Sequence, residues 1–508
     1  MRWWVWLDEN TKKLVDAAAL AVVLLSFVFT AGQFFAKNTL WLDEATDATI
    51  GGRLFSEGVF RNDDGSFVSR APFSPFSLAT FYVLFGKSEF VLYALPFLLA
   101  LASLSLVFIF VRKLYGTLAG AVASFSMALS ALFVFYSLRF LTEMPQILAV
   151  SLSLYFFFAV FKDKRFDLAP FLVLGAAMAF LSKPTMVSFF IPLALAVFLF
   201  YRKELLEFFS DLRSLGAAAL VFIVVMLAVF SYNMAGTGSP IGLLTGYWEA
   251  VHVGQDVFPI EWYFTNLGSL FAGVFMLGLI VLGIAYAFWN WDKPAIALFL
   301  AFFLSLVIMS FATIFKDHRY VMFVFPAAYG LVGFAAATCL KSVSLSIPKN
   351  EEDAIKGVLA VFVLVALAAA TVFNYSYVTQ FTESRVSSYS EFKTAGAFVE
   401  SITSPNETVF ATGGPELGYY ANRKALMFDY LNISNFMRQL EENNARIIVV
   451  GIHEHGAEVV AASQKLQANQ TQNPQNSFEY LFFNPQVFKP LQGFSSGQNT
   501  VMIVFERV

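Results

Sequence analysis

The sequence has few charged residues and almost no cysteine. Only 14% of its 508 residues are Asp, Glu, Lys or Arg, whereas soluble domains carry about a quarter. A single cysteine, Cys339, excludes an intrachain disulfide. The formal net charge is −3, and there is no basic stripe or nucleic-acid-binding motif. The sequence therefore gives no support for a nucleic-acid partner.

Apolar residues are abundant instead, and they make up 58% of the chain, with 61 phenylalanines. This composition indicates an integral membrane protein. A membrane-spanning helix needs about 20 apolar residues, and eleven segments qualify. They are 14–35, 90–111, 117–136, 144–161, 166–182, 184–201, 214–232, 267–289, 294–315, 320–340 and 355–373. Segment 73–86 is apolar but short and contains Pro75, so we interpret it as an interfacial or re-entrant helix.

The distribution of Lys and Arg in the loops predicts the orientation. With the N-terminus inside, the inner segments carry 15 basic residues and the outer segments before residue 374 carry 9. Five of those 9 lie in one long loop, which counts less under this rule. The sequence thus predicts a multi-pass protein of the cell membrane, with a cytoplasmic N-terminus and an extracytoplasmic C-terminus.

The composition changes near residue 374, after which Asn, Gln, Ser and Glu are frequent and no further span follows. We expect a helix at Glu391–Ser401 and strands at Thr408–Thr412, Arg446–Gly451 and Val501–Phe505. Alternating strands and helices predict a small α/β layer domain. The predicted organisation is a transmembrane domain over residues 1–373 and an extracytoplasmic soluble α/β domain over residues 374–508.

Under this topology the unusual polar residues fall on the outer side of the membrane. They are Asp43 and Glu44 after the first span, Arg139 and Glu143 at the next outer turn, Lys183, and His318 and Arg319 at the last outer turn. The loop 233–266 adds Trp248, Trp262 and Tyr263, which we interpret as aromatics of the membrane interface. Charged residues at a membrane boundary are costly, which makes them candidates for function.

Each candidate also has a structural interpretation. Asp43 suits the N-cap of a helix over 44–56, and Glu44 suits the first turn of that helix, where the helix dipole favours an acid. Arg139 and Glu143 can form a structural salt bridge. Lys183 can extend its amine to the lipid headgroups.

Seven short motifs follow one another along residues 10–340. They are Trp41-Leu-Asp-Glu44, Arg70-Ala-Pro-Phe-Ser-Pro75, Phe85-Gly-Lys-Ser-Glu-Phe90, Arg112-Lys-Leu-Tyr-Gly116, Arg139 with Glu143-Met-Pro145, Phe180-Leu-Ser-Lys-Pro184 and His318-Arg-Tyr320. In their order and spacing they resemble GT-C superfamily glycosyltransferases, in particular the dolichyl-phosphate-mannose protein mannosyltransferases and the lipid A aminoarabinose transferases. One position departs from the family, which usually has Asp where this chain has Glu143.

The resemblance implies an inverting glycosyltransferase that uses a polyprenyl-phosphate sugar and an extracytoplasmic hydroxyl acceptor on a protein, lipid or glycan. It assigns the catalytic carboxylate to Asp43. Attack by a hydroxyl needs a base, and the departing phosphate needs cations. The available cations are Arg319, Lys183, Arg139 and His318, while Glu44 and Glu143 are acceptor-binding or auxiliary candidates. Membrane lipids are the remaining expected partners.

Three alternatives stay open at this point. Asp43 and Glu44 are too few ligands to define a divalent-cation site, so the sequence leaves metal dependence undecided. A polyprenyl-lipid transporter or scramblase would place ionisable residues near the bilayer midplane in two related halves, and the sequence shows few such charges. A non-catalytic membrane anchor would leave the outer acids and cations without a role.

Overall fold

The computed structural model describes residues 9–508, apart from 63–67, 69–70, 240, 243–244, 246–257, 272, 314–315, 342–350, 387, 469–472 and 497–498. The chain divides into two compact units. The first, here called the helical unit, comprises residues 1–36, 69–74 and 88–385. The second, here called the mixed unit, comprises residues 37–68, 75–87 and 386–508.

Seventeen helices precede the polar C-terminal part of the chain among the described residues. They are α1 Glu9–Gly32, α2 Leu42–Glu57, α3 Phe73–Phe85, α4 Glu89–Tyr115, α5 Thr117–Ala128, α6 Ala131–Ser137, α7 Glu143–Phe161, α8 Ala169–Ser182, α9 Val187–Phe200, α10 Arg202–Ser210, α11 Leu212–Thr237, α12 Trp262–Thr265, α13 Leu267–Leu270, α14 Val274–Trp289, α15 Lys293–Ala312, α16 Phe325–Lys341 and α17 Glu351–Val386. Helix α2 and most of α3 belong to the mixed unit.

Six helical segments of the described chain are long and apolar enough to cross a membrane. They are α1, α4, α7, residues 212–235 of α11, α15 and the segment His318–Cys339, which begins as the 3-10 helix His318–Val324 and continues into α16. The number rises to eight if two bent pairs, α5 with α6 and Pro184–Phe200 with α10, each count as one span. The multi-pass character is therefore confirmed, whereas the count of eleven spans and the orientation remain predictions.

The predicted spans differ from the helices where the backbone breaks. Segment 117–136 is bent by 69° between α5 and α6. Segment 267–289 begins as the short helix α13, and a longer helix starts only after Gly273, whose φ of 117° lies in a region that side-chain-bearing residues avoid. Apolar composition alone does not reveal such breaks, because the residues on both sides are equally hydrophobic.

Small residues let the helices of the helical unit approach closely. A Cβ atom added at Gly175 in α8 would lie 2.9 Å from Ser153 Oγ in α7. Tight packing through small residues replaces the hydrophobic driving force that is missing between helices in lipid. Close packing of this kind brings the start of α7, which carries Glu143, near the end of α8, which Lys183 follows.

The mixed unit contains a five-stranded sheet with helices on both faces. Its strands are β1 Thr408–Ala411, β2 Lys424–Leu426, β3 Ile447–Gly451, β4 Phe488–Ser496 and β5 Asn499–Arg507, in the order β2-β1-β3-β5-β4. The two pairings of β1 are parallel, and those of β5 are antiparallel. Its helices are α18 Ser390–Ile402, α19 Gly414–Ala421, α20 Ile433–Glu442, α21 Ile452–Gln467 and α22 Ser477–Phe483.

The sheet separates two hydrophobic clusters. One contains Phe410, Phe436, Phe478 and Phe505, and the other contains Phe392, Val409, Leu417 and Val449. Neighbouring residues of β1 belong to opposite clusters because side chains alternate across a strand. The predicted helix at 391–401 and the three predicted strands are confirmed within one or two residues at most of their ends, and β5 starts two residues earlier and ends two later than expected.

Candidate active site

Helix α2 in the mixed unit presents the acidic pair. Its N-cap is Trp41, which has extended backbone angles and whose N–H donates to Glu44 Oε2 at 2.7 Å. Glu44 is fully buried and fills the third position of the helix, where a carboxylate closes a capping box. Asp43 is the second residue of the helix and is half-buried. Glu44 therefore has a structural role, and Asp43 is not the N-cap.

The chain that leads into α2 is held by residues of the same unit. The Leu40 N–H donates to the hydroxyl of Tyr420 in α19 at 2.9 Å. The Thr39 hydroxyl donates to the carbonyl oxygen of Ser388, and the rings of Trp41 and Tyr389 meet edge to face. These contacts fix the start of α2, whose positive dipole end favours a carboxylate in the first turn.

In the helical unit, Glu143 and Lys183 form a buried ion pair. Lys183 Nζ lies 3.5 Å from Glu143 Oε1, and the side chains are 8% and 2% exposed. The Lys183 ammonium also lies 4.1 Å from the centre of the Tyr320 ring, a cation–π distance. Glu143 opens α7, and Lys183 ends α8 with an extended backbone. The pair that the structure shows is thus Glu143 with Lys183, although the sequence suggested Arg139 as the partner of Glu143.

Two arginines extend this group of charges. Arg319 Nη2 donates to the Tyr320 hydroxyl at 3.3 Å, and Arg319 Nε lies 3.9 Å from Asp317 Oδ2. Arg139 is fully buried, and its guanidinium carbon lies 5.7 Å from the centre of the Phe135 ring.

Tyr136 lies near the charged residues of both groups. Its hydroxyl interacts electrostatically with Asp317, Glu143, Arg319 and Arg139. We define Arg139, Glu143, Lys183, Asp317 and Arg319 as the charge cluster of the helical unit. It holds three cations and two carboxylates.

His318 lies apart from this ion pairing. Its Nε2 is 2.9 Å from the Ser269 hydroxyl, and its ring centre is 4.9 Å from that of Trp262. One ring nitrogen is therefore already used within the protein. Tyr263 is buried, which does not fit a purely interfacial role, and Trp248 lies outside the described residues.

Sequence reasoning missed the structural importance of Tyr136, Tyr320 and Lys316. Tyr320 directly follows Arg319 and Tyr136 lies three residues before Arg139, and this proximity in the sequence was the available signal. Lys316 is buried, and its ammonium donates to the carbonyl oxygens of Ser310 at 2.9 Å and Thr313 at 2.7 Å. Burial lowers the pKa of Lys316, and the charge of Glu261 opposes that change. No pattern in one sequence predicts those carbonyl contacts.

The charge cluster has the chemistry of an anion site. Arginine matches phosphate oxygens with two parallel hydrogen bonds, and lysine supplies a point charge. Buried cations act strongly because water does not screen them. Within the described part of the chain, no three His, Cys, Asp or Glu side chains are grouped as metal ligands would be.

Comparison with known proteins identifies the fold. Residues 69–230, about a third of the chain, match the family model described as dolichyl-phosphate-mannose-protein mannosyltransferase. No curated protein sequence matches significantly. The crystal structure of ArnT from Cupriavidus metallidurans bound to undecaprenyl phosphate matches with a TM-score of 0.65 and 13% identity, over 99% of both chains.

An archaeal enzyme gives a similar match. The Archaeoglobus fulgidus oligosaccharyltransferase in its apo form has a TM-score of 0.67 at 13% identity, over 90% of this chain and 72% of the other. A structure of AglB from the same organism, with an inhibitory peptide and a dolichol-phosphate, has a TM-score of 0.59 at 13% identity. It covers 98% of this chain and 74% of the other.

These matches define the class of the molecule: it is a polytopic helical membrane protein with the fold of GT-C glycosyltransferases. The resemblance to this superfamily that the sequence motifs predict is confirmed. The relatives in this fold include glycosyltransferases whose structures hold polyprenyl or dolichyl phosphates.

Proposed function

We propose that this protein is an inverting glycosyltransferase that moves a sugar from a polyprenyl-phosphate donor to a hydroxyl acceptor on the outer face of the membrane. The observation that carries this proposal is the charge cluster of the helical unit, in which Arg139, Lys183 and Arg319 gather around Tyr136 and Tyr320. Cations that water screens only weakly attract an anion strongly. A phosphate supplies that anion, and lipid phosphates are bound in structural relatives.

We assign Arg319, Lys183 and Arg139 to the donor phosphate. Arg319 stands on the 3-10 helix that opens the last span, and its neighbour Tyr320 places an aromatic ring against both Arg319 and Lys183. The ring shields one side of each cation from water. As the bond between the anomeric carbon and the phosphate oxygen breaks, the electron pair stays on that oxygen. The cations stabilise the resulting charge.

Asp43 is the proposed base. The acceptor oxygen forms a bond to the anomeric carbon while its proton passes to the Asp43 carboxylate, and polyprenyl phosphate leaves. A single displacement of this kind inverts the configuration at the anomeric carbon. Glu44 cannot share the role easily, because its carboxylate is buried and holds the Trp41 N–H. The division between the neighbouring acids supports Asp43 as the reactive one.

The test is transfer by the purified, membrane-reconstituted protein with a panel of polyprenyl-phosphate sugars, read by mass spectrometry of the products. Asp43→Asn should lower the transfer rate by about 10²–10⁴-fold, the usual worth of a positioned acid–base group. Glu57→Gln, at an exposed carboxylate on the same helix, is the matched control and should transfer normally. If a well-folded Asp43→Asn protein transferred sugar at an undiminished rate, Asp43 would not be the base.

Lipid movement in vesicles, measured beside product formation, distinguishes the proposed enzyme from the leading alternative. A lipid transporter or scramblase would move labelled polyprenyl phosphate between leaflets of a vesicle without forming a glycosylated product. Product formation without such movement supports the enzyme. Movement without product, across the whole donor panel, supports transport.

The proposed membrane arrangement places the N-terminus in the cytoplasm and a soluble domain of residues 374–508 outside, after a transmembrane domain of residues 1–373. The buried free cysteine simplifies a test by thiol labelling. In a Cys339→Ala background, Ser401→Cys at an exposed position of α18 should react with an impermeant reagent in intact cells. Ser210→Cys at the end of exposed α10 should react only after lysis. The opposite pattern would invert the topology.

A further inference from the structure

A cavity in the mixed unit has no role in the mechanism proposed above. Its volume is about 440 Å³, within the range of small-ligand sites. Helix α2 lines it with Thr46, Thr49 and Ile50, and strand β2 and its continuation line it with Leu426 and Met427. Helix α20 and the residue that follows it contribute Gln439 and Asn443. All these segments belong to the mixed unit.

The lining restricts the charge of any ligand. None of the lining side chains is Asp, Glu, Lys, Arg or His. A charged ligand would lose water there without gaining an opposite charge, which is unfavourable. The cavity therefore selects an uncharged ligand, in contrast to the charge cluster of the helical unit.

Two carboxamides in the cavity have fixed orientations. Gln439 Oε1 accepts a hydrogen bond from the Asp429 N–H at 3.0 Å, so the Gln439 amide nitrogen remains a donor. Asn443 Nδ2 donates to the Gln439 carbonyl oxygen at 2.9 Å, so Asn443 Oδ1 remains an acceptor. The two residues are four apart and face the same way. One donor and one acceptor at this spacing complement the C=O and N–H groups of a peptide main chain.

Strand β2 supplies a second element that fits a polypeptide. It is an edge strand, and within the described chain its only strand partner is β1. An extended peptide can add to such an edge through main-chain hydrogen bonds. Met427, directly after β2, is 46% exposed and offers apolar contact. A sugar would instead need an exposed aromatic face, and the one aromatic residue of the lining, Phe410, is only 1% exposed.

The proposed base stands on the helix that lines the cavity, three residues before the lining residue Thr46. Asp43, Thr46 and Ile50 are spaced three and four residues apart on α2, and such residues share one face of a helix. The Cβ atoms of residues three apart are about 6 Å from each other. A hydroxyl side chain on a segment bound in the cavity would thus lie near the Asp43 carboxylate.

We infer that this cavity binds an uncharged, extended polypeptide segment that pairs with β2, and that the segment carries the acceptor hydroxyl. The second part of this inference rests on the proposed function. The first part concerns binding alone and holds without any transfer reaction.

Binding is measured with the full-length protein in detergent and no donor, by fluorescence anisotropy. The probe is a labelled eight-residue peptide of alternating Thr and Ala with blocked ends. Thr49→Trp, which fills the cavity, should weaken binding at least tenfold. Ser56→Trp, two turns further along the same helix and outside the lining, is the matched control and should bind normally. Equal binding by both variants would overturn the site.

A second variant guards against a folding defect in Thr49→Trp. Gln439→Glu keeps an oxygen for the Asp429 N–H but removes the amide donor and adds a charge, so it should also weaken binding at least tenfold. A probe methylated on alternate backbone nitrogens should bind at least tenfold more weakly, because it cannot pair with β2. Displacement of the unmodified probe by a neutral trisaccharide would overturn the polypeptide assignment in favour of a glycan.

Transfer assays then separate the two parts of the inference. Glycosylation of the probe by the wild-type protein, lost in Thr49→Trp, supports the acceptor role. A probe that binds at β2 but is never glycosylated, while another acceptor is, overturns that role. Loss of transfer to every acceptor with intact probe binding would contradict the proposed function and still support the binding site.

Discussion

The helical unit and the mixed unit use charged residues in opposite ways. In the helical unit, five charged side chains gather around two tyrosines, and Arg139, Glu143 and Lys183 are buried. In the mixed unit, the two acids at the start of α2 differ. Glu44 accepts a hydrogen bond from the Trp41 N–H and so caps the helix, whereas Asp43 is half-buried. The helical unit thus brings three cations and two carboxylates together, whereas the mixed unit presents Asp43 in the first turn of α2 and has a cavity lined without charged side chains.

Under the proposed function, this difference separates two tasks of a group-transfer reaction. Cations that water screens only weakly can hold a phosphate, and the helical unit has such cations. A carboxylate that is not fully buried can accept a proton from a hydroxyl, and Asp43 is half-buried. The comparison predicts that substitutions in the charge cluster disturb both stability and activity, whereas those on α2 affect one of the two selectively.

The largest expected effect is on the buried ion pair. Glu143→Gln leaves Lys183 without its carboxylate, and breaking a buried pair costs about 3–5 kcal/mol. Thermal unfolding in detergent should show a strongly lowered transition. The double variant Glu143→Gln/Lys183→Met should recover most of that loss but not transfer activity. Glu207→Gln, in the exposed pair with Lys164, is the control and should leave the transition unchanged. If Glu143→Gln and Glu207→Gln lowered the unfolding transition equally, burial of the ion pair would not be the cause of the effect.

The next effect concerns the phosphate cations. Arg319→Ala should lower kcat/KM for the lipid-linked donor by about 10²–10³-fold, as for other groups that stabilise developing negative charge. Arg319→Lys should recover only part of this loss, because lysine cannot form two parallel hydrogen bonds. Arg165→Ala is the control, since this cation pairs with Asp167 at an exposed site and is not in the charge cluster. A loss confined to the acceptor KM would contradict donor binding by Arg319.

Sequence reasoning succeeded where a short local pattern decides the structure. The β-branched run of β3 and the amphipathic segment of α18 have the expected ends within one or two residues. The motifs around Asp43, Glu143, Lys183 and Arg319 led to the superfamily whose fold the structure shows. These features are encoded within a few neighbouring residues.

Features that depend on distant contacts escaped prediction. Pairing of Glu143 with Lys183 requires that the start of α7 lies beside the end of α8, which depends on close packing near Gly175. The role of Glu44 could not be separated from that of Asp43, because the first helical residue was uncertain by two positions. With Trp41 as the N-cap, the third helical position falls on Glu44 and the second on Asp43. That register gives the two acids their different roles.

The comparison of the two acids can be tested at Glu44. Glu44→Ala removes the acceptor for the Trp41 N–H and should destabilise the protein by about 0.5–2 kcal/mol, the usual cost of losing a helix cap. Glu44→Gln keeps an oxygen that can close the capping box, so its stability and transfer rate should stay close to those of the wild type. A Glu44→Gln protein as inactive as Asp43→Asn would show that the charge of Glu44 takes part in the reaction.

The smallest effect is a pH dependence in the sheet region of the mixed unit. Burial tends to raise the pKa of Glu479, but hydrogen bonds from Lys465 Nζ at 2.6 Å and the Gln475 N–H at 2.8 Å outweigh burial and lower the pKa below its ordinary value of 4.5. A carboxyl group with a lowered folded-state pKa stabilises the fold above its unfolded pKa and loses that contribution as the pH falls through the folded value. The free energy of unfolding of the mixed unit in the wild type should therefore decrease below about pH 4.5.

Glu479→Gln tests whether this carboxylate is the cause, since glutamine has a similar shape and does not titrate. The variant should be less stable than the wild type at neutral pH, and the difference should shrink as the pH falls below 4.5 because the wild-type carboxyl then becomes neutral as well. Glu442→Gln is the control, because Glu442 pairs with Arg438 at an exposed site on α20 and such pairs contribute little. A difference that persists unchanged in acid would mean that the packing of Glu479, rather than its charge, stabilises this part of the mixed unit.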